Sequence, residues 1–309
     1  MPMSVFPTDD LEIHPMKLAD TLDGIRGVDL HLHSTASDGK LSPAELADLC
    51  HARGMTHVAL TDHDTIDGIE EARQRCRHHG INLMAAAELS CQWRGIGLHI
   101  VALLPQGTSS ALDAGLEILA NARDLRSREI AHRLEKVGLA DGLARARQAA
   151  GSERPLGRPD FAAALVAAGV VPDVKTAFKR YLGAGKRGDV KMHWPELATV
   201  VGWIRDAEGV AVVAHPLRYG MTRRKRDLMF SAFIDAGGEA AELVSGYQNP
   251  DTTHDLARQL DFHGLYGSIG SDFHYPGGPL SPGTISPPPR SRVKPVWCHP
   301  ALQRFADGE

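Results

Sequence analysis

Short runs of apolar residues alternate with longer segments of helical periodicity along most of the chain. Runs rich in valine, isoleucine, leucine and alanine are typical of buried strands. Because amphipathic segments separate most of these runs, their order predicts βαβ units and a mainly parallel sheet or barrel. One connecting segment, SPAELADLCHARG, predicts a helix with Ser42 as its N-cap and Gly54 at its end. The runs predicted as strands are VDLHL, THVALTD, INLMAAAE, GLHIVALL, VAVVAHP, EAAELVS and LYGSIGSDFH.

Helical signals alone fill the stretch between the fourth and the fifth predicted strand. The segment ALDAGLEILANARDLRSREIAHRLEKVG is long and amphipathic, and PDFAAALVAAG and VKTAFKRYLG predict two further helices. We therefore predict a helical insertion over residues 105–191 that covers the substrate site. The α/β domain would comprise residues 27–104 and 192–309, and residues 1–26 are predicted to be a poorly structured lead-in.

Composition narrows the class of protein without changing this architecture. The 309 residues are 43% hydrophobic, which is enough for a sizeable core. The formal net charge of -4 argues against a basic coat for nucleic acid, so an anionic ligand would need a local site. Four scattered cysteines without CxxC spacing indicate a reduced, intracellular protein. We find neither a signal peptide nor a membrane-spanning run, and expect a cytoplasmic protein with no membrane partner.

Histidines and carboxylates collect near the ends of the predicted strands. In parallel α/β folds, the carboxyl ends of the strands are where chemistry is assembled. A single histidine there is more often a surface or capping residue, but a set from separate segments is hard to explain as core packing. Both residue types bind divalent metals, so the set predicts a metal centre. Its members are His31, His33, Asp38, His63, Glu88, His99, His215, Asp272 and His274.

The segments that carry these residues resemble the motifs of the PHP (polymerase and histidinol phosphatase) superfamily. Apart from the less distinctive sequence of the insertion, the resemblance runs from residue 28 to about residue 276, through DLHLHSTASDG, ALTDHDT, AAAELS, LHIVAL, AHP and GSDFH. It implies a distorted seven-stranded (β/α) barrel that holds up to three metals, manganese, iron or zinc, and hydrolyses phosphoesters. Carried over position by position, it implies the nine residues above as the metal ligands.

Further motifs resemble a stand-alone branch of this superfamily. AHPLRY, AFKRYLGAGKRG and the helical insertion are similar to the nucleoside 3′,5′-bisphosphate phosphatases, a branch that includes ribonuclease AM. This resemblance implies removal of the 3′-phosphate from nucleoside 3′,5′-bisphosphates and 5′-to-3′ trimming of short RNA. The chain departs from the branch at one position, because relatives often have GRPHxA where this chain has GRPDFA, with Asp160 in place of the histidine.

Metal chemistry suits this reaction because divalent ions lower the pKa of bound water and neutralise phosphate oxygens. We expect a metal-bound water as the nucleophile, and Glu88 as a bridge between two ions. Asp64 either orients His63 from outside the metal centre or caps the following helix. For substrate binding we predict Lys186 and two arginines, Arg158 and Arg218, which would hold a second phosphate.

The expected substrate is a nucleoside bisphosphate or a short oligonucleotide. The insertion lacks the basic and aromatic stripe that tracks long single strands, and we expect no long duplex as a partner. Three alternatives stay open. A histidinol-phosphate-type phosphatase would need one phosphate site and no base pocket. A non-catalytic PHP module would stabilise a partner, but this chain keeps the whole ligand set and no obligate partner is evident. A zinc-dependent amidohydrolase would need a bridging lysine, and none is suitably placed.

Overall fold

The computed structural model describes residues 17–151, 154–190 and 193–308. Seven strands form one sheet in which spatial order follows chain order. The strands are β1 (Val28–Leu32), β2 (His57–Leu60), β3 (Asn82–Trp93), β4 (Ile96–Leu103), β5 (Val210–Val213), β6 (Ala240–Ser245) and β7 (Tyr266–Gly270).

The sheet curls until its first and last strands approach each other. His33 N donates to Phe273 O at 3.0 Å, and Asp272 N donates to His31 O at 2.9 Å. These bonds nearly close a seven-stranded barrel, which confirms the predicted fold class. Because they join segments that begin and end the barrel, they also bring residues after β7 against β1.

Most neighbouring strands are parallel, but β4 runs antiparallel to both β3 and β5. β3 extends beyond the predicted INLMAAAE segment and turns directly into β4 at Arg94 and Gly95. Both turn residues have positive φ, 49° and 73°, as a two-residue hairpin turn requires. The reversal of β4 places its beginning at the end of the barrel where the parallel strands finish.

The helices are α1 (Pro43–Ala52), α2 (Ile69–His78), α3 (Ser110–Glu135), α4 (Gly142–Ala150), α5 (Arg158–Ala167), α6 (Val174–Ala177), α7 (Leu197–Asp206), α8 (Arg223–Asp235), α9 (Pro250–His263) and α10 (Gln303–Asp307). Ser42 caps α1 as predicted, and its Oγ accepts from Glu45 N at 3.2 Å. A single π-helical turn, Phe178–Leu182, continues α6. Within the described ranges, no helix is both long and apolar enough to cross a membrane.

Helices α3 to α6 lie between β4 and β5 in the chain, where the insertion is predicted. The sequence did not indicate α4. A separate apolar cluster formed within residues 130–190 packs these helices together. The first half of α3 instead contributes Leu112 and Leu119 to the main core of the barrel. Helix α3 thus belongs to both clusters, and the boundaries at 105 and 191 stay predictions.

The two ends of the described chain pack together on the barrel. Leu18 and Leu22 are buried in the main core, and Leu18 N donates to Ala306 O at 3.0 Å. Trp297, also buried, donates from Nε1 to Ala19 O at 2.8 Å. Residues 17–26 form neither a helix nor a strand, but Leu18 and Leu22 anchor this segment to the barrel, and the lead-in over residues 1–26 stays a prediction. Residues 1–16 lie outside the described residues.

Candidate metal centre

The structure brings all nine predicted histidines and carboxylates to one end of the barrel. His31 and His33 alternate along and just beyond β1, so that both point to the same side, as period-2 geometry requires. His99 lies on the antiparallel strand β4 and pairs in register with Ser90 of β3. It reaches the same end because β4 begins where its parallel neighbours finish.

Glu88 lies at the centre of the cluster and is fully buried. Each of its oxygens approaches more than one imidazole, so a single carboxylate links histidines from four parts of the chain. Oε2 lies 3.3 Å from His31 Nε2, 3.3 Å from His33 Nε2 and 3.1 Å from His63 Nδ1, and Oε1 lies 2.8 Å from both His99 Nδ1 and His215 Nε2.

The ligand atoms divide into overlapping groups, each within 4.8 Å of one another. Glu88, His33 and His63 belong to more than one group, so neighbouring groups share donors. The groups are His33, Asp38, His63 and His274; His31, His33, Glu88 and Asp272; and His63, Glu88 and His99. His215 adds its Nε2 atom beside Glu88.

Several buried atoms of this cluster have no hydrogen-bond partner in the described structure. They are His33 Nδ1, Asp38 Oδ1, His63 Nδ1, Glu88 Oε2 and His215 Nδ1. Buried polar atoms in folded proteins are almost always satisfied, so their concentration in one place calls for a ligand. Imidazole nitrogens and carboxylate oxygens together form a donor set that fits divalent transition metals.

The pKa values in the cluster favour charged carboxylates. Burial alone would lower the pKa of His31, but neighbouring carboxylates outweigh burial and raise that pKa well above its ordinary value. The pKa of His33 likewise rises to about 10, because interactions with Asp272 and Glu88 outweigh burial. Despite burial, nearby histidines hold the pKa values of Glu88 and Asp272 well below their ordinary range. Burial lowers the pKa of His63 to about 3, which leaves a neutral imidazole able to bind a cation.

The turn that carries Asp38 is held by a buried carboxylate and by close backbone packing. Asp62 accepts hydrogen bonds from Ser34 Oγ at 2.6 Å and Ser37 Oγ at 2.5 Å. Gly39 follows, and a Cβ atom there would lie 2.5 Å from His33 O. The φ of Gly39 is not positive, so the structure requires glycine here because a side chain has no room.

Asp64 does not cap the following helix, because the N-cap of α2 is Gly68. Its carboxylate accepts from Ser90 N at 2.6 Å and Ser90 Oγ at 2.9 Å, and it forms a buried ion pair with Arg123 of α3. The helix-cap alternative is therefore wrong, and a role in orienting His63 stays a prediction. This ion pair joins α3 to the barrel beside the cluster.

Sequence analysis missed Glu242 of β6, another buried carboxylate beside the cluster. Its Oε1 lies 2.7 Å from His31 Nδ1, and its Oε2 accepts from His215 N at 2.6 Å. The signal was a single acidic residue inside the otherwise apolar run AAELVS. A buried strand tolerates a carboxylate only when that carboxylate has partners.

A cavity of about 540 Å³ opens in front of the cluster, between the barrel and the inserted helices. Its walls combine cluster residues with cationic and apolar side chains. The arginines are Arg123, Arg126, Arg158 and Arg218, and the apolar and aromatic residues include Ile96, Leu98, Phe178, Trp194 and Tyr219. No lysine of the described chain lines this cavity.

Arg126 of α3 was also missed by the sequence analysis. Its side chain is almost fully buried, its Nε donates to Val190 O at 2.9 Å, and its guanidinium lies 5.3 Å from the ring centroid of Trp194. Burial and two neighbouring arginines lower its pKa to about 9. The segment ARDLRSRE offered no signal, because alternating charges on a helix usually mark a solvated face.

Comparisons with known proteins place the chain among metal-dependent enzymes. Residues 29–141 match the PHP domain. The chain is 40% identical over 272 residues to a 3′,5′-nucleoside bisphosphate phosphatase of Chromobacterium violaceum, covering 87% of this chain and 95% of that protein. It is 41% identical over 269 residues to a 5′-3′ exoribonuclease of Haemophilus influenzae, covering 87% of this chain and 97% of the relative. The chain belongs to the PHP family.

Solved structures extend this likeness over the whole PHP fold. A structure named as an amidohydrolase from Chromobacterium violaceum, with bound sulfate and no metal, is 38% identical with a TM-score of 0.83. The match covers 90% of this chain and 96% of the chain in that structure. A candidate metal-dependent phosphoesterase from Bifidobacterium adolescentis is 25% identical with a TM-score of 0.76, covering 93% and 97%.

The residues predicted to bind substrate in this PHP protein differ in position. Arg158 and Arg218 line the cavity, and Arg218 forms an ion pair with Asp272. Lys186 is exposed and does not line the cavity, so the structure does not bring it to the site. Asp160, the departure from the family motif, caps α5 by accepting from Gly157 N at 2.8 Å, and it also pairs with Arg154.

Proposed function

We propose that this PHP protein is a metal-dependent phosphoesterase that removes the 3′-phosphate of nucleoside 3′,5′-bisphosphates and trims short RNA from the 5′ end. The observation that carries the proposal is the cavity itself, with the histidine–carboxylate cluster on one wall and arginines on another. Relatives that match 80–87% of this chain are named as a 3′,5′-nucleoside bisphosphate phosphatase and as 5′-3′ exoribonucleases. Their two activities share a phosphate ester as the target.

The proposed centre holds three divalent ions, with manganese expected and iron or zinc as alternatives. The three overlapping groups of ligand atoms support this number, and the shared carboxylate of Glu88 suits a bridging position. When bound, such ions lower the pKa of coordinated water and neutralise phosphate charge. The proposed ligands are His31, His33, Asp38, His63, Glu88, His99, His215, Asp272 and His274.

Arg126 and Arg158 are proposed to bind the phosphate that is not hydrolysed. Arg126 donates from Nε to Val190 O, and Arg158 donates from Nη1 to Leu182 O at 3.3 Å. A guanidinium has five N–H donors, so each retains donors for an anion after making these bonds. Arg123 is a weaker candidate because it already pairs with Asp64. An anion would also relieve the mutual repulsion of the arginines.

The cavity favours a small substrate over a long strand. Its volume lies within the range of small-molecule sites, about 300–1,000 Å³. Phe178 and Trp194 add aromatic surface beside the arginines, which suits a nucleobase next to its phosphates. Histidinol phosphate would leave the arginine wall without a phosphate, so its hydrolysis is expected to be slower.

The function is tested by phosphate release from adenosine 3′,5′-bisphosphate in the presence of Mn²⁺. A 5′-phosphorylated RNA dinucleotide and histidinol phosphate serve as competing substrates, and a chelator serves as the control. We expect chelator-sensitive formation of AMP and cleavage of the dinucleotide. Preferred hydrolysis of histidinol phosphate would support the alternative phosphatase, and no turnover by metal-loaded protein would support a non-catalytic module.

The arginine site is tested by comparing Arg126→Met with the wild type on two substrates. We expect KM to rise about tenfold or more for the bisphosphate and to change little for adenosine 3′-monophosphate, which lacks the second phosphate. Arg128→Met, on an exposed face of the same helix, is the matched control. An equal rise in KM for both substrates would contradict a second-phosphate site at Arg126.

A further inference from the structure

Glu242 connects two histidines that lie far apart in the chain. It is 1% exposed, and each of its carboxylate oxygens has a different partner. Oε1 lies 2.7 Å from the Nδ1 atom of His31 on β1, and Oε2 accepts from the backbone N–H of His215, which follows β5. One side chain thus ties β1 to the segment that follows β5.

The local structure of β6 is adapted to deliver this carboxylate. Glu242 pairs with Ser268 of β7, but Val244 pairs with the very next residue, Ile269. One extra residue is therefore accommodated in β6, as in a β-bulge. Bulges change the direction of a side chain within a strand and are frequent beside active sites. Here the bulge immediately follows the residue that reaches His31.

The bond to His215 fixes an uncommon backbone conformation. His215 has φ 31° and ψ 56°, in the left-handed region that favours glycine. The Glu242 carboxylate accepts from its N–H, and His215 Nε2 then lies 2.8 Å from Glu88 Oε1. Without this acceptor, the buried N–H would lose its partner and the backbone would lose a restraint at this position.

The bond to His31 fixes the orientation of its ring. With Nδ1 directed at Glu242, Nε2 is directed into the cluster, 3.3 Å from both Glu88 Oε2 and Asp272 Oδ1. Histidines that bind metals commonly donate their second N–H to a carboxylate, which selects the tautomer and increases the basicity of the binding nitrogen. The geometry around His31 matches this arrangement.

We propose that Glu242 is a positioning residue of the metal centre, which sets the ring of His31 and the backbone of His215 with one carboxylate. The inference rests on the proposed metal centre, and it adds a residue that is not among the nine ligands. Glu242 acts through these two histidines.

The test compares Zn²⁺ affinity between the wild type and Glu242→Gln by competition with a chromophoric chelator. Glutamine is isosteric but has one acceptor oxygen, so its NH₂ group must face either Nδ1–H of His31 or the N–H of His215. We expect Zn²⁺ affinity to fall about 10–100-fold. Glu239→Gln is the matched control, because Glu239 is an exposed carboxylate three residues earlier whose contact is His299.

A spectroscopic measurement separates positioning from a purely structural role. The visible absorption bands of Co²⁺-loaded protein report ligand geometry, and we expect them to shift in Glu242→Gln but not in Glu239→Gln. If Glu242→Gln does not fold, NMR of Zn²⁺-loaded wild type tests the same point. His31 is expected to carry its proton on Nδ1, and a proton on Nε2 would overturn the proposal.

The outcomes distinguish this inference from the proposed function. Wild-type affinity and an unchanged Co²⁺ spectrum in Glu242→Gln would overturn the role of Glu242 and leave the metal centre intact. A wild-type protein that binds none of the tested metals would overturn both.

Discussion

Asp38 owes its position at the edge of the histidine–carboxylate cluster to neighbours outside the predicted ligand set. The Asp62 carboxylate accepts hydrogen bonds from the hydroxyls of Ser34 and Ser37, and Gly39 packs closely against the backbone of His33. Atoms 2.5 Å and 2.6 Å from a Cβ at residue 39 belong to the backbone of His33 and cannot move as a flexible side chain would. Any displacement would therefore be transmitted to a proposed ligand.

Gly39→Ala is expected to lower the free energy of unfolding by about 1–3 kcal/mol, the usual cost of overpacking. It should also weaken metal binding, because His33 and Asp38 flank the clash. Urea unfolding and metal titration of the same samples measure the two effects.

The control is Gly202→Ala in α7, where a Cβ would meet nothing within 4 Å. This helical substitution should be neutral or stabilising by about 0.5–1 kcal/mol. Unchanged stability and metal affinity in Gly39→Ala would contradict the steric argument.

At the scale of elements, α3 joins the barrel to the inserted helices. Its first half packs into the main core, and its second half packs into the cluster formed within residues 130–190. Between these halves, the buried guanidinium of Arg123 reaches Asp64, close to His63, and also stacks on Trp194 at 5.5 Å. The ion pair thus fixes one wall of the cavity relative to the metal-binding cluster.

Arg123→Met and Asp64→Asn are each expected to destabilise the protein by about 3–5 kcal/mol, because each leaves a buried polar partner uncompensated. The loss of unfolding free energy in the double variant should be clearly smaller than the sum of the losses in the two single variants. A double-mutant cycle measures this difference. The pair Arg128 and Asp124 is the control, since it is exposed on the same helix and Arg128→Met should cost at most about 0.5 kcal/mol. Simple additivity of the two buried substitutions would contradict the coupling.

Sequence analysis located the ligand candidates because they sit in short local motifs at the ends of apolar runs. It missed Glu242 and Arg123, which contact the cluster or its neighbours, because these residues meet their partners only after folding. Glu242 is 211 residues from His31, and Arg123 is 59 residues from Asp64. Neither pair has a local pattern, and Arg123 shares its helix with solvated charges. The reversal of β4 was missed for a related reason, because an apolar run does not encode its direction.

At the scale of the whole molecule, the cluster lies where the barrel closes. Asp272 follows β7, and its Oδ1 lies 3.3 Å from His31 Nε2 and 3.2 Å from His33 Nε2. Glu88 of β3 completes this group of ligand atoms. A metal ion held there would therefore connect the first, third and last strands across the seam of the barrel. Metal binding should accordingly stabilise the whole fold.

Mn²⁺ or Zn²⁺ at about 1,000 times its Kd is expected to raise the free energy of unfolding by about 4 kcal/mol, and a chelator should remove this gain. The measurement is thermal unfolding at several metal concentrations. At the same metal concentration, the metal-dependent gain in unfolding free energy should be smaller in Asp272→Asn. A neutral amide replaces a carboxylate at the seam there and binds a cation less well. Asp261→Asn, an exposed position on α9, should keep the full gain. If metal stabilised Asp272→Asn as strongly as the wild type, metal binding would not depend on this carboxylate. Closure of the barrel would then not be coupled to metal binding through Asp272.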